Sequence, residues 1–239
     1  MYFSFDGYVR YSECDENGKL SLASMMNYLQ DVVLFHSEAI GMGPEYLIER
    51  NRAWYLIGWQ IVIERMPKMF EKITLKTSPN KTSGCFCNRN IMIEDANGEY
   101  AVKANSVWVY LDLERNTFAR PDKEQMDRYG TMDPIDMDYA PRKIDLPDEL
   151  KEAGDIKVGA SLLDTNKHVN NVKYVELARE VLEKETIDVR ELRVEYKKQA
   201  YLGDVLHPKT AQAGDWRYVT FENGSGECYA TVALLLKSE

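Results

Sequence analysis

The sequence is poor in the residues that build metal centres and disulfide frameworks. It holds four cysteines (Cys14, Cys85, Cys87 and Cys228), no C-x-x-C pair, and three histidines far apart in the chain. This spacing matches no zinc framework, so neither a metal nor a cofactor is expected. The thiols read as reduced side chains of a cytoplasmic protein. Long apolar runs are also missing. Val32–Phe35 and Tyr55–Ile63 fall far short of the roughly 20 residues that a bilayer requires, and Gln60 interrupts the second. The N-terminus, from Met1 to Asp6, lacks a basic region followed by an apolar one and does not read as a signal peptide. Positive charge is in deficit, with 30 basic against 39 acidic residues and a net charge of −9. That argues against nucleic acid or an anionic membrane as a partner, so any anionic partner must find a local basic patch. What is plentiful is packing material: 15 Tyr, 7 Phe and 4 Trp in 239 residues, which excludes low-complexity disorder. The length allows one large domain or two of about 120 residues.

An internal repeat chooses between these. Shifted by 149 positions, Val9, Ser12, Asp15 and Asn17 fall on Val158, Ser161, Asp164 and Asn166. A helical pattern follows each copy. In Ser21–Ile40, Leu22, Met25, Met26, Leu29, Val32, Val33 and Ile40 recur at helical spacing. The second runs over roughly Asn171–Glu185, with Val172, Val175, Leu177, Ala178, Val181 and Leu182 near one face. Four strands are then predicted in each half: Ala53–Arg65, Lys72–Ser78, Cys85–Glu94 and Glu99–Leu111, and later Val189–Tyr201, Val205–Ala213, Trp216–Glu222 and Glu227–Lys237. The last pair in each half is joined by a tight turn, Asp95–Gly98 or Asn223–Gly226. Between the halves, residues 116–150 hold four of the eight prolines and many aspartates, and read as a connection rather than a core element.

A long helix followed by an antiparallel sheet buries its apolar stripe in the concave face of that sheet, which is the hot-dog arrangement. The expected fold is therefore α+β, a double hot-dog. The N-terminal unit spans residues 1–115, the connection 116–150 and the C-terminal unit 151–239.

The second half carries one stretch unlike the rest, Ser161 to Tyr174. Asp164, Asn166 and His168 alternate there, so in an extended segment their side chains point to one side, whereas on a helix they diverge. The apolar helix begins directly afterwards, which makes Asn170 or Asn171 its N-cap. The amides at that helix start, with the dipole behind them, favour a developing negative charge. Asp164 and Asn166 also suit a plain Asx turn, and Asp15 and Asn17 hold the same places in a half where Lys19 replaces the histidine.

The run Asp-x-Asn-x-His-Val-Asn-Asn-x-Lys-Tyr closely resembles the signature of the acyl-[acyl carrier protein] thioesterases of plants and bacteria, and the resemblance covers essentially the whole chain. It implies a hydrolase of fatty acid biosynthesis and lipid metabolism that cleaves the thioester between a fatty acyl chain and the phosphopantetheine arm of acyl carrier protein. By position, His168 becomes the main acid/base group, Asn166 a hydrogen-bonding group for substrate or water, and Asp164 an orienting or activating group. The plant members follow a Glu-Tyr pair with two variable positions and then Glu-Cys. Here Glu195-Tyr196-Lys197-Lys198 is followed by Gln199-Ala200. Without a thiol at position 200 there is no cysteine acyl-enzyme at that place, and neutral Gln199 is no base. Direct attack by water remains, with His168 or Asp164 taking the proton and Gln199 orienting either the water or the thioester carbonyl.

The resemblance also implies that the first half lodges the acyl chain, which makes Met25, Met26, Leu29 and Trp54 candidate lining residues; Asn170 and Asn171 read as caps first, with substrate contact as a secondary role. Lys167, Lys173, Lys197 and Lys198 lie close in sequence to the motif elements and are the candidate docking cations for an acidic carrier. Two alternatives keep the scaffold: hydrolysis of acyl-coenzyme A, and non-catalytic acyl binding. A hydratase would reveal itself by its product. Chain length, saturation preference and homodimer formation are left open.

Overall fold

The computed structural model describes residues 2–182 and 188–237, which form two compact units: Met1–Ile57 with Ile61–Ala140, and Gly58–Gln60 with Pro141–Glu239. The first unit contains β1 (Phe3–Tyr8), α1 (Leu22–Ala39), α2 (Pro44–Glu49), β2 (Arg52–Ile63), β3 (Lys72–Ser83), β4 (Phe86–Glu94), β5 (Tyr100–Asp112), β6 (Thr117–Phe118) and α3 (Lys123–Tyr129). Its strands run in the order β1-β3-β4-β5-β2, with β6 on β5. Ser21 starts α1, its Oγ accepting the Ser24 N–H at 3.2 Å. The buried stripe Leu22, Met25, Met26, Leu29, Val32 and Val33 follows the sequence pattern, and each such side chain contributes about 1.5–3 kcal/mol through burial.

The face that α1 covers is set by strand register. Leu75 pairs with Ile93, Ile91 with Ala104, and Ile93 with Val102. On the same face Arg89 reaches α1, its Nη1 2.9 Å from His36 Nδ1 and 3.3 Å from Thr77 Oγ1. β3 continues past the expected end at Ser78 to Ser83, because a register shift at Pro79/Lys81 absorbs the proline's missing N–H. In β2 the expected alternation holds only in part. Of the alternating set Tyr55, Ile57, Trp59, Ile61 and Ile63, the last three are buried and the first two half-buried, while Gly58 and Gln60 on the other parity are buried as well.

The segment 116–150 differs from its reading as a bare connection. It holds β6 and α3, whose N-cap Asp122 forms a capping box with Gln125. Tyr129 is buried and donates its hydroxyl to Ser37 Oγ at 3.1 Å. Further on, Arg142 pairs at 2.8 Å with Glu195, a buried carboxylate that also accepts the Ile144 N–H at 3.3 Å. Side chains between the prolines of this segment supply anchors that proline content does not reveal.

The second unit contains β7 (Lys151–Glu152), β8 (Ile156–Lys157), α4 (Asn171–Val181), β9 (Val189–Tyr196), β10 (Val205–Ala213), β11 (Trp216–Glu222) and β12 (Cys228–Leu236), in the order β9-β12-β11-β10-β7 with β8 on β10. α4 packs against β12, and Tyr174 lies with ring centroids 5.5 Å from Phe221 and 6.2 Å from Tyr196. α4 is described to Val181; residues 183–185 of the expected helix lie outside the described residues. β9 ends at Tyr196, five residues before the expected Tyr201. Among the described residues, no helix is long and apolar enough to cross a membrane.

Burial, reinforced by the Arg89 guanidinium, pushes the His36 imidazole down to about 4 from its ordinary 6.5. The folded state therefore binds fewer protons than the unfolded chain between these values, so stability falls as the pH drops through that window. Thermal denaturation followed from pH 7 to pH 4 is expected to show this loss, on the order of 2–3 kcal/mol. In His36→Phe, which keeps a ring against Phe3 and Tyr129, the acid loss is expected to shrink by a similar amount.

Candidate active site

The motif does not form an extended run. The 3-10 turn Ala160–Leu162 leads into a tight turn from Asp164 to His168, closed by Asp164 N–H to His168 C=O at 2.9 Å and Lys167 N–H to Asp164 C=O at 3.0 Å. Leu163 and Val169 pair across its base. The expected alternation of three side chains on one side is therefore corrected. Asp164 Oδ1 accepts the Asn166 N–H at 2.8 Å, an Asx turn that bends the chain where a strand would have continued. Asn166 sits exposed at the tip, while Asp164 and His168 meet across the turn, with His168 Nδ1 3.6 Å from Asp164 Oδ1.

Among the described residues this turn occurs four times. Asp15 Oδ1 takes the N–H groups of Asn17 and Lys19 at 2.9 and 3.0 Å, Asp95 Oδ1 those of Asn97 and Glu99 at 2.8 and 3.0 Å, and Asn223 Oδ1 those of Ser225 and Glu227, both at 2.9 Å. The fourth turn position needs a left-handed backbone, and Gly18, Gly98 and Gly226 supply it with φ of +68°, +81° and +79°. In the motif turn that place belongs to Lys167, with φ +66°. One carboxylate oxygen of Asp164 thus both holds the bend and faces the imidazole.

Tyr201 completes the cluster. It pairs with His168 through the backbone, and its ring stands edge-on to the imidazole with centroids 5.9 Å apart. Its hydroxyl donates to Gln199 Oε1 at 2.8 Å, and its N–H goes to Asp204 Oδ2 at 2.9 Å. Gln199 therefore joins the motif through Tyr201, from the loop after β9 and not from a strand. Sequence reasoning missed Tyr201; the available signal was its place two residues beyond Gln199.

At the start of α4, Asn170 is the N-cap, with Oδ1 accepting the Val172 N–H at 2.9 Å. Asn171 is the first helical residue, and its C=O accepts the Tyr196 hydroxyl at 3.0 Å. The Asn171 N–H, at the positive end of the helix, has no protein acceptor among the described residues. Of the chain-lining candidates, Met25, Met26 and Leu29 have essentially no solvent-accessible surface. Trp54 is half-buried, its ring 4.7 Å from that of Tyr110. Three of the four docking lysines already face carboxylates: Lys173 with Glu176 and Lys198 with Glu227 at 2.5 Å, and Lys197 with Glu195 at 3.6 Å. Lys167 is exposed with no ion-pair partner among the described residues. No group of three potential metal ligands occurs among the described residues.

Two variants separate the turn from the chemistry. Asp164→Ala is expected to lose about 1–2 kcal/mol, because the Asn166 N–H loses its acceptor. Lys167→Gly, which relieves the left-handed backbone, is expected to be at least as stable as the parent. Urea denaturation of both checks the assignment.

Residues 3–129 match the acyl-ACP thioesterase N-terminal domain and residues 147–232 the acyl-ACP thioesterase C-terminal domain. A chloroplastic palmitoyl-acyl carrier protein thioesterase of Cuphea hookeriana is 28% identical over 221 residues, which cover 85% of this chain and 53% of that protein. The chain thus spans about half the length of the curated relatives it matches. An acyl-ACP thioesterase structure from Bacteroides thetaiotaomicron superimposes with a TM-score of 0.88 at 21% identity, covering 99% of this chain and 98% of that one. The 12:0-ACP thioesterase from Umbellularia californica gives 0.83 at 18% identity, covering 100% and 98%. The fold is the double hot-dog, and with both of the family's domains matched in order, the chain belongs to the acyl-ACP thioesterase family.

Proposed function

We propose that the chain hydrolyses the thioester between a fatty acyl group and the phosphopantetheine arm of acyl carrier protein, releasing free fatty acid and carrier protein. The observation that carries this reading is the pairing of His168 with Asp164, 3.6 Å apart, in the second unit, at the places where the first unit has Lys19 and Asp15. Water supplies the nucleophile. The His168–Asp164 pair takes its proton as the C–O bond forms, and the carbonyl electrons move onto oxygen. Collapse of the oxyanion breaks the C–S bond, and the leaving thiolate recovers the proton. The Asn171 N–H at the start of α4 and the Asn166 side chain steady the oxyanion, each such donor being worth about 10²–10³ in rate, and Gln199 orients either the water or the thioester carbonyl.

The acyl chain lodges in the first unit, against Met25, Met26, Leu29 and Trp54. About ten buried methylenes supply on the order of 8 kcal/mol before binding costs. Three of these side chains are closed in the core, so the chain must displace them, and unbranched methionines yield most readily. Carrier docking uses Lys167, Lys173, Lys197 and Lys198. All but Lys167 exchange an internal carboxylate for one of the carrier's, which keeps the attraction modest and salt-sensitive. The four free thiols fit a reducing compartment such as the cytoplasm.

The test is hydrolysis of a chain-length series of acyl carrier proteins, with mass detection of the released acids and acyl-coenzyme A assayed in parallel. Turnover of acyl carrier protein is expected, and His168→Ala is expected to lower it by about 10²–10⁴ without unfolding. A folded His168→Ala protein that retains the parent rate removes His168 from the chemistry. Exclusive turnover of acyl-coenzyme A replaces the substrate.

A further inference from the structure

Gln199 has one acceptor, Oε1, and one pair of donors on Nε2. In this structure the Tyr201 hydroxyl donates to Oε1 at 2.8 Å, which fixes the rotation of the amide, and neither Nε2 N–H has a protein acceptor among the described residues. Tyr201 is itself held from three directions: by backbone pairing with His168, by its N–H on Asp204 Oδ2 at 2.9 Å, and by its ring edge-on to the imidazole. Asp204 is in turn fixed by the Tyr229 hydroxyl at 3.2 Å. The first unit lacks this arrangement. Lys19 pairs there with Lys68, and the residue two before Lys68 is Met66, so neither the hydroxyl nor the amide is present.

We infer that Gln199 acts as a hydrogen-bond donor to the thioester carbonyl oxygen, and that Tyr201 is the positioning residue that fixes it in that sense. The inference rests on the hydrolase reading and sharpens it. With Oε1 turned to the Tyr201 hydroxyl, the side of the amide left without a protein partner among the described residues is Nε2, which can only donate. Its free N–H groups serve the oxygen that gains negative charge as the water oxygen bonds to carbon, and they serve it until the C–S bond breaks. Activation of the water then falls to His168 and Asp164 alone.

Gln199→Glu separates a donor from a water-holding acceptor, because the two roles predict opposite outcomes. A carboxylate still accepts the Tyr201 hydroxyl but has no N–H, so kcat on an acyl carrier protein thioester is expected to fall about 10²–10³-fold, the usual effect of losing one oxyanion donor. KM is expected to change little, and the pH profile should gain no new ascending limb. Tyr201→Phe, which keeps the ring and loses the hydroxyl, is expected to lower kcat about tenfold, again with little change in KM. Added to Gln199→Glu it should lower the rate less than twofold further, because both act through one amide. Circular dichroism confirms that each variant is folded. A Gln199→Glu protein as fast as the parent, or faster with a new carboxylate limb in its pH profile, overturns the inference and makes position 199 a water-activating site. Independent, multiplicative losses in the double variant overturn the role of Tyr201. Absence of turnover by the parent chain removes the hydrolase reading and this inference together, whereas turnover that Gln199→Glu retains removes the inference alone.

Discussion

A side-chain oxygen that accepts the backbone N–H two residues onward shapes much of this protein. It bends the chain at Asp15, Asp95, Asp164 and Asn223, and in each case the closing residue can then return its N–H or C=O to the residue that started the turn. The interaction is local and independent of what the turn carries. The same device therefore joins β4 to β5 and β11 to β12, and also leads into α1 and α4. At Asp164 it acquires a second consequence. The oxygen that secures the bend also faces an imidazole, so the geometry of the candidate acid/base pair is fixed by a bond whose first purpose is folding.

Duplication explains why this can happen in one copy and not in the other. Both units place a 3-10 turn, an Asx turn and a capped helix at matching positions, and the hydrogen bonds from Ser21 N–H to Glu13 C=O and from Asn170 N–H to Leu162 C=O correspond. Histidine at this place in one bend and lysine in the other sit on turns closed by the same backbone bonds, Asp15 N–H to Lys19 C=O and Asp164 N–H to His168 C=O. The left-handed residue tells the same story in reverse. Three turns relax there with glycine, whereas the turn beside His168 carries Lys167 and keeps its strain. The first unit places its own buried imidazole elsewhere, in the core beside Arg89, where His36 is held neutral by burial and by the adjacent cation.

Much of the scaffold was legible because it rests on short-range rules. The helix from Leu22 to Ala39 begins one residue after its serine cap, and the strands of the second half from Val205 to Glu222 begin and end where alternation and turn residues place them. The misreadings share a cause. The strand expected to end at Ser78 runs on to Ser83, because the register shift at Pro79/Lys81 belongs to pairing with β4, which no single segment displays. The aspartates and prolines of 116–150 looked like a tether, yet Tyr129 and Arg142 find partners at Ser37 and Glu195, far away in sequence. Alternation of Asp164, Asn166 and His168 suggested a strand because the period-two pattern says nothing of a carboxylate turning back on its own backbone.

The order of residues alone determined the duplication, the double hot-dog class and the position of the candidate acid/base motif, and the resemblance it carries set Gln199 and Ala200 where plant members have a carboxylate and a thiol. These depend on identity and spacing along the chain, and such information survives without coordinates. Tertiary structure decided that Asp164 serves both the bend and His168, that Tyr201 stands between His168 and Gln199, and that most of the neighbouring lysines are already neutralised. Each of these is an encounter between groups brought together by strand register or by a turn. The Asp164 bend is local and only its hydrogen bonds tell it from an extended run, whereas the meetings of His168 with Tyr201 and of Lys198 with Glu227 follow from packing between segments far apart in the chain, which no local stretch of sequence displays.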